Sequence, residues 1–502
     1  MKKKTYYITT PIYYVNALPH IGHAYATIAA DALAIYQRML GKDVVFLTGT
    51  DENSLKNVRA AEASGNKDTK SYLDRMSREW KKTWDDMGIT HTDFIRTTSD
   101  EHKSAVLAFY KRVQEKGDIY KGTYQGLFCE GCEEFLSESE LEGGLCREHR
   151  TKPKFIEEHN YFFKLTRYRK GLLEHIRKNP EFIFPKTRRN EVIRYIEEFM
   201  TDVSISRESV SWGIPVPNDP KQVIYVWFDA LISYLSGVGF ANDEKRFKKF
   251  WPCDLHLIGK GILKFHAALW PAMLMSAGLP LPKSVFVHGY YTVDGKKISK
   301  SLGNAIDPND AIKRFGNDAL RYYLLREVSF GNDGDFSFTR LEEVYRSELA
   351  HGIGNLFLRV LSMVEKYAGG KIPKAKKMVN NFPAPKIIGE HMESLSFEKA
   401  LKEIEKVVAS VNSEINKKAP WKLAGDGKKS DADQILFDSV EALRNIALAL
   451  TPFMPNSSSA MLKGLGLDPD KEKKAFTKIN GKNTIKAGTR ISKAGSLFPV
   501  DK

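Results

Sequence analysis

Hydrophobic positions in this chain change their spacing several times, and each change marks an element. From Thr5 to Thr10 β-branched and aromatic residues form a strand-like run, and Pro11, Asn16 and Pro19 then signal a loop. From His20 through Leu40 the apolar positions recur at helical spacing in an Ala-rich segment, and Gly41 supplies its stop. Val44 to Thr48 is a short continuous apolar run, as expected of a strand covered on both faces in a parallel sheet. Strand, loop, helix, strand predicts the opening of a doubly wound α/β domain, whose ligands gather at the carboxyl ends of the strands.

Three later runs, Val223 to Trp227, Asp254 to Gly259 and Ser284 to Gly289, predict further strands of the same sheet. Residues 116–204 between the halves turn polar, irregular and cysteine-bearing, which reads as an insertion. The most apolar stretch, Ala267 to Leu281, is too short to cross a bilayer and is interrupted by Pro271 and Pro280, so a buried helix is expected there. After Asp307 the pattern is helical, with Arg340 to Lys366, Ser396 to Lys418 and Asp431 to Leu450 predicting an all-α bundle. No internal repeat and no long low-complexity segment is visible.

Composition narrows this picture. At 502 residues the chain holds about three structural units, taking ~150 residues as one domain. A hydrophobic share of 42% with 28% charged residues excludes a disordered, collagen-like or membrane-embedded chain. The net charge of +15 points to a polyanion, whether nucleic acid, nucleotide or an acidic membrane surface. Met1-Lys2-Lys3-Lys4 leads into Tyr6 with no apolar targeting core, so a cytoplasmic protein with no membrane partner is expected. Four cysteines in such a length make no disulfide framework.

Candidate chemistry falls in three places. Pro19-His20-Ile21-Gly22-His23 sits where the first strand gives way to the first helix. Unpaired N–H groups and a partial positive charge collect there, Gly22 leaves room for a ligand, and two histidines can donate to phosphate oxygens. Capping or surface histidines are the competing reading. Lys296-Lys297-Ile298-Ser299-Lys300-Ser301 follows the strand near Val285 and the turn Asp294-Gly295, and its cations and hydroxyls suit a triphosphate, although a solvated basic loop has the same composition. Cys129-x2-Cys132, thirteen residues, then Cys146-x2-His149 forms two chelating pairs, which fits a closed tetrahedral site for structural zinc. Glu130, Glu133, Glu134 and Gly143-Gly144 make that stretch too polar for a core, whereas Cys253 reads as a small buried hydrophobe.

Together the first two segments resemble the signatures of the class I aminoacyl-tRNA synthetases, at His20-Ile21-Gly22-His23 and Lys297-Ile298-Ser299-Lys300-Ser301. A more specific resemblance, to the methionyl-tRNA synthetase family, runs through Thr10 to Asn16, Thr48-Gly49-Thr50-Asp51-Glu52, Val226-Trp227-Phe228-Asp229-Ala230, Leu257 to Lys260, Lys264-Phe265-His266 and Leu497-Phe498-Pro499. The resemblance implies a Rossmann-like catalytic domain in two halves, 1–115 and 205–295, around a zinc-bearing insertion at 116–204. It implies a lysine-signature and stem-contact region at 296–345, a helical anticodon-binding domain at 346–465 and a basic surface tail at 466–502. The partners it implies are ATP with Mg²⁺, L-methionine and tRNA(Met). His20, Gly22, His23, Lys297, Ser299 and Lys300 would meet ATP, with His20, His23, Lys297 and Lys300 in catalysis. Ile12, Tyr14, Trp227, Ala230, Leu231, Tyr234 and His266 would enclose the methionine side chain, with Asp51 on its ammonium group. Asn355, Arg359 and Trp421 would read the anticodon; as residue types alone, an Asn and an Arg on one helix face and a lone Trp are ordinary surface and core.

Two departures from the family pattern stand out. Asn53-Ser54 follows Glu52 where His-Gly is commoner, and Gly261 follows Lys260 where Asp is often found, which bears on one nucleotide contact. The lack of an added C-terminal RNA-binding module favours a monomer, with a separate partner chain able to supply one. Two other readings compete: a class I synthetase for isoleucine, leucine, valine or cysteine, and a non-catalytic tRNA-binding relative.

Overall fold

The computed structural model describes residues 4–66, 68–131, 134–136, 138, 141–147, 150–293, 295–298, 305–375, 382–479, 484–493 and 495–500. The chain forms two compact units, a sheet unit of Thr5–Pro19 and Val45–His288, and a helical unit of Met1–Lys4, His20–Val44 and Gly289–Lys502.

In chain order the elements that matter begin with β1, Thr5–Tyr14, α1, Ile21–Met39, and β2, Asp43–Asp51. They continue with β3, Asp93–Arg96, α2, Asp100–Glu115, β4, Ile183–Phe184, α3, Val226–Ser236, β5, Leu255–Gly259, and β6, Val285–His288. The main sheet has the order β3-β2-β1-β5-β6-β4. β1 runs parallel to β5, β5 to β6, β6 to β4, and β2 to β3. The order reverses between β1 and β5, so the switch point of this doubly wound sheet lies at their carboxyl ends. Buried Val45, Leu47, Phe109, Phe228, Ile258, Trp270 and Val285 form part of one continuous core in this unit.

Three expectations change. β1 continues through Pro11 to Tyr14, because the described register to β5 is at Ile8 and Thr9, leaving Pro11 outside those ladder bonds. Val226 and Trp227 open helix α3, whereas the strand before them, Asp219–Ile224, ends at Ile224. α3 is apolar nearly all round, with Val226, Phe228, Ala230, Leu231, Ile232, Tyr234 and Leu235 buried, and such a segment cannot be told from a buried strand by periodicity. The insertion is also less irregular than its composition suggests. Long antiparallel strands Ile119–Cys129 and Lys154–Phe163 pair within it, and Ile183–Phe184 returns to the main sheet as its edge strand β4.

The helical unit holds the bundle at α4, Asn355–Ala368, α5, Phe397–Lys418, α6, Pro420–Gly425, and α7, Lys429–Leu450. Every α7 residue from Ile435 to Leu450 is buried, which marks it as the central helix. A separate three-stranded sheet of Tyr291–Val293, Lys296–Lys297 and Gly334–Phe336 precedes the bundle, so the lysine segment begins as a strand of this sheet and not directly after β6. Arg321 and Asp31, both fully buried, form an ion pair at 2.7 Å, and Arg321 also donates to the carbonyls of Pro452 and Phe453 at 3.0 Å. The stretch expected as a basic surface tail is anchored to this unit. Phe476, Ile479, Ile485 and Phe498 are buried, Ile372 N–H donates to Thr489 O, and Tyr345 Oη donates to Pro499 O.

Candidate active site

α1 begins on a pair of reciprocal hydrogen bonds. His20 is its N-cap, and the Nδ1 of His20 accepts from Gly22 N–H at 3.1 Å. The Nδ1 of His23 accepts from His20 N–H at 3.2 Å, and the two rings stack with centroids 3.7 Å apart. A nitrogen that accepts from a backbone N–H carries no proton, so in each neutral ring the hydrogen stands on Nε2. The capping reading and the donor reading therefore describe different nitrogens of the same side chains. A Cβ on Gly22 would lie 3.0 Å from His20 Cε1 and 3.6 Å from Ile298 Cδ1, and Ile21 N–H donates to Ile306 O at 3.0 Å. The first signature thus abuts Ile298 of the second within one unit. Lys297 lies on the short strand Lys296–Lys297, while Ser299 and Lys300 fall outside the described residues.

The residues expected around methionine lie in the sheet unit. Ile12 and Tyr14 alternate onto one face at the end of β1, and Lys56 Nζ stands 4.5 Å from the Tyr14 ring centroid. Asp51 is the last residue of β2 and is buried. Its segment is tightly held: Asn57 Nδ2 donates to Asp51 O, Glu52 N–H to Thr97 Oγ1 and Trp212 Nε1 to Glu52 O, all between 2.8 and 2.9 Å. Glu52 itself accepts from Arg96 Nε and Nη2 at 2.7 and 3.0 Å. At Gly49 a Cβ would fall 2.1 Å from the carbonyl oxygen of Ile95, so only glycine permits β2 to approach β3 there.

Trp227, Ala230, Leu231 and Tyr234 occupy one row of α3, at the helical offsets that share a face. Trp227 stacks on Phe265 at 3.9 Å with only 4° between planes. Tyr234 Oη lies 2.8 Å from His266 Nε2, and His266 Nδ1 lies 2.9 Å from the carbonyl of Ile262. The carbonyl can only accept, so His266 carries its proton on Nδ1 and Nε2 accepts from Tyr234. Burial pushes the His266 pKa down to about 4, and this imidazole is neutral at physiological pH. Below it His256 of β5 lies 2.7 Å from Thr9 Oγ1 and accepts from Trp270 Nε1 at 3.3 Å. Burial, then the neighbouring His266, holds His256 well below the ordinary imidazole range. His256 escaped the sequence reading because its strand is otherwise a plain apolar run. Asn53 attracted attention only as a departure, and its contacts to Asp229 lie far away in sequence.

Of the proposed metal ligands, Cys129 and Cys146 are buried together in a small cluster with Leu136 and Leu141, while Cys132 and His149 fall outside the described residues. Two thiols of one buried cluster, on a strand end and on the hairpin Leu141–Glu142/Leu145–Cys146, fit a thiolate-binding metal. Among the described residues no group of three such ligands assembles. In the bundle, Arg359 Cζ stands 5.5 Å from the Trp421 ring centroid, and Arg359 Nη2 donates to Asn416 Oδ1 at 2.6 Å. Asn355 is exposed one turn earlier on the same helix, α4. No helix among the described residues is long and apolar enough to cross a membrane.

Residues 6–151 and 140–361 match the family model described as tRNA synthetases class I (M), and residues 369–500 match the anticodon binding domain of methionyl tRNA ligase. The chain is 43% identical to the methionine–tRNA ligase of Thermotoga maritima, over 98% of its own length and 80% of the relative's. It is 42% identical to that of Rickettsia felis, over 99% of this chain and 98% of the other. Among solved structures, the methionyl-tRNA synthetase of Mycobacterium tuberculosis in complex with methionyl-adenylate superposes with a TM-score of 0.94 at 38% identity, covering 99% of this chain and 100% of that one.

Proposed function

The chain belongs to the methionyl-tRNA synthetase family of class I aminoacyl-tRNA ligases, and from that premise we propose how its residues divide the work of activating L-methionine with ATP and transferring it to tRNA(Met). A methionine carboxylate oxygen attacks the α-phosphorus of ATP, the bond to pyrophosphate breaks, and methionyl-adenylate forms. The 2′-hydroxyl of the terminal tRNA adenosine then attacks the activated carbonyl, and AMP leaves. Positioning and charge stabilisation carry most of the first step, since phosphoryl transfer asks for little covalent help.

His20 and His23 bind phosphate oxygens through Nε2–H, and Gly22 keeps their approach open. Lys300, with Lys297 and Ser299, stabilises the charge that grows on departing pyrophosphate, and Mg²⁺ accompanies the nucleotide. Asp51 pairs the methionine ammonium. Ile12, Tyr14, Trp227, Ala230, Leu231 and Tyr234 surround the thioether with polarisable apolar surface, and neutral His266 orients the Tyr234 hydroxyl. Cys129, Cys132, Cys146 and His149 hold a structural zinc that ties the Cys129–Cys132 and Cys146–His149 segments together within the insertion; one zinc per chain by elemental analysis, lost in Cys129→Ser, is the expected result. Asn355, Arg359 and Trp421 read the anticodon, with Trp421 stacking on a splayed base.

The observation that supports this division best is the packing of Gly22 and Ile21 against Ile298 and Ile306, which brings the two signature segments to one helix start. Amino-acid-dependent exchange of labelled pyrophosphate into ATP tests it. Methionine should support exchange, and isoleucine, leucine, valine and cysteine should not. Exchange with isoleucine or cysteine in place of methionine would overturn the assignment, and tight tRNA binding with no exchange would favour a non-catalytic relative.

A further inference from the structure

We propose that Asn53 is a positioning residue for methionine, pinning the rotation of α3 against the end of β2 through a buried Asn53–Asp229–His102 clamp. Asn53 stands two residues beyond Asp51, and its Nδ2 donates to Asp229 Oδ2 at 2.7 Å and to Thr97 O at 3.1 Å. The other carboxylate oxygen of Asp229, Oδ1, lies 2.6 Å from Nε2 of His102 on α2. Because that oxygen accepts, His102 carries a proton on Nε2, and its Nδ1 lies 2.8 Å from Ser236 Oγ. Asp229 and His102 are fully buried and Asn53 is 7% exposed.

The clamp answers a problem that α3 poses. Its residues are apolar on almost every side, and apolar contact is non-directional, so packing alone gives such a helix little preference for which row faces a ligand. Asp229 follows Trp227 by two residues, about 200° around the helix, so it sits away from the Trp227–Ala230–Leu231–Tyr234 row. Hydrogen bonds to a carboxylate are directional and strong. Gripped from the Asp51 segment on one oxygen and from α2 on the other, Asp229 fixes both the rotation and the depth of the helix. The distance between the ammonium-binding carboxylate and the thioether-binding row is thereby set by Asn53.

This inference rests on the assignment of Asp51 and the α3 row to methionine, and the test separates the two. Steady-state pyrophosphate exchange would be measured for Asn53→Ala, Asn53→His, Asp229→Asn and Asp51→Asn, with KM for methionine and KM for ATP determined separately. Asn53→Ala should raise the methionine KM by ~10- to 50-fold while the ATP KM moves less than about threefold. Asn53→His, whose ring N–H can donate to Asp229, should return the methionine KM to within about threefold of the unaltered chain. An unchanged methionine KM in Asn53→Ala, an equal rise in both constants, or a histidine variant as poor as the alanine would each overturn the proposal. Should Asn53→Ala not fold, Asp229→Asn decides: it keeps the shape but weakens both bonds, and a methionine KM within about twofold of the unaltered chain overturns the clamp. If Asp51→Asn leaves the methionine KM unmoved, the pocket assignment itself fails and the proposal falls with it.

Discussion

The two halves of the chemistry are built on opposite principles. The residues proposed to hold methionine are buried or half-buried side chains of the sheet unit seated on fixed neighbours, Tyr234 on His266 and Trp227 on Phe265, and the helix that carries four of them is anchored through Asp229 to Asn53 and His102. His20, Gly22 and His23, proposed to meet phosphates, stand at the start of one helix in the helical unit, half-buried, with the backbone-facing nitrogen of each histidine occupied. An amino-acid pocket that must tell one apolar side chain from another needs fixed walls, because each methylene is worth only ~1–3 kcal/mol of discrimination. A phosphate site needs charge at the right moment, which a loop can deliver.

The sharpest way to break that contrast is at the charge. Lys300→Ala should slow adenylate formation by ~10²- to 10³-fold and alter the methionine KM by less than about threefold. Single-turnover formation of adenylate checks it, and an equal loss in both constants would merge the two halves into one.

Acid should act on the pocket. His266 is held neutral at a pKa of about 4 against an ordinary 6.5, so below pH 6.5 the unfolded chain takes up a proton that the folded one refuses. Stability is therefore lost as pH falls from 6.5 toward 4, by roughly 3 kcal/mol from this group when the descent is complete, and His256 adds in the same direction. Melting temperature against pH should fall less steeply in His266→Gln, whose Oε1 can still accept from Tyr234. Lys300→Ala should leave the slope unchanged, and parallel curves for all three proteins would remove the buried imidazole from the account.

The smallest effect is the most local. Trp421→Ala should reduce tRNA charging by about tenfold, within the ~1–3 kcal/mol of one stacked base, and leave pyrophosphate exchange untouched. Loss of both activities would make Trp421, and the Arg359 packed on it, part of the structural core of the bundle.

Legibility in the amino-acid sequence followed the same division. The phosphate segments were legible as a pair, since each alone also read as capping histidines or a solvated basic loop and only the two together carried the resemblance, and the parallel sheet followed from its continuous apolar runs. Ala230, Leu231 and Tyr234 carried no such mark: at 5%, 1% and 2% exposure they are indistinguishable by type from packing residues, and only the resemblance lifted them. Val226 and Trp227, the first two residues of α3, read as the end of a strand for the same reason, since burial on all sides erases the period that separates helix from strand. Asn53 could not be interpreted at all without coordinates, because its partner lies 176 positions away. The insertion was legible in its polar, cysteine-bearing composition but not in Ile183–Phe184, since two residues are too few to leave a pattern.

The shared cap at the head of α1 also decides how the phosphate histidines can be interrogated. An alanine at position 20 deletes the inward acceptor that starts the helix along with the outward nitrogen offered to substrate, so its deficit is confounded. Asparagine separates the two losses, because it ranks among the best residues for beginning a helix and carries an acceptor on a short arm. The gap between His20→Ala and His20→Asn would weigh the helix start, at ~1 kcal/mol, and whatever His20→Asn still lacks belongs to the nucleotide.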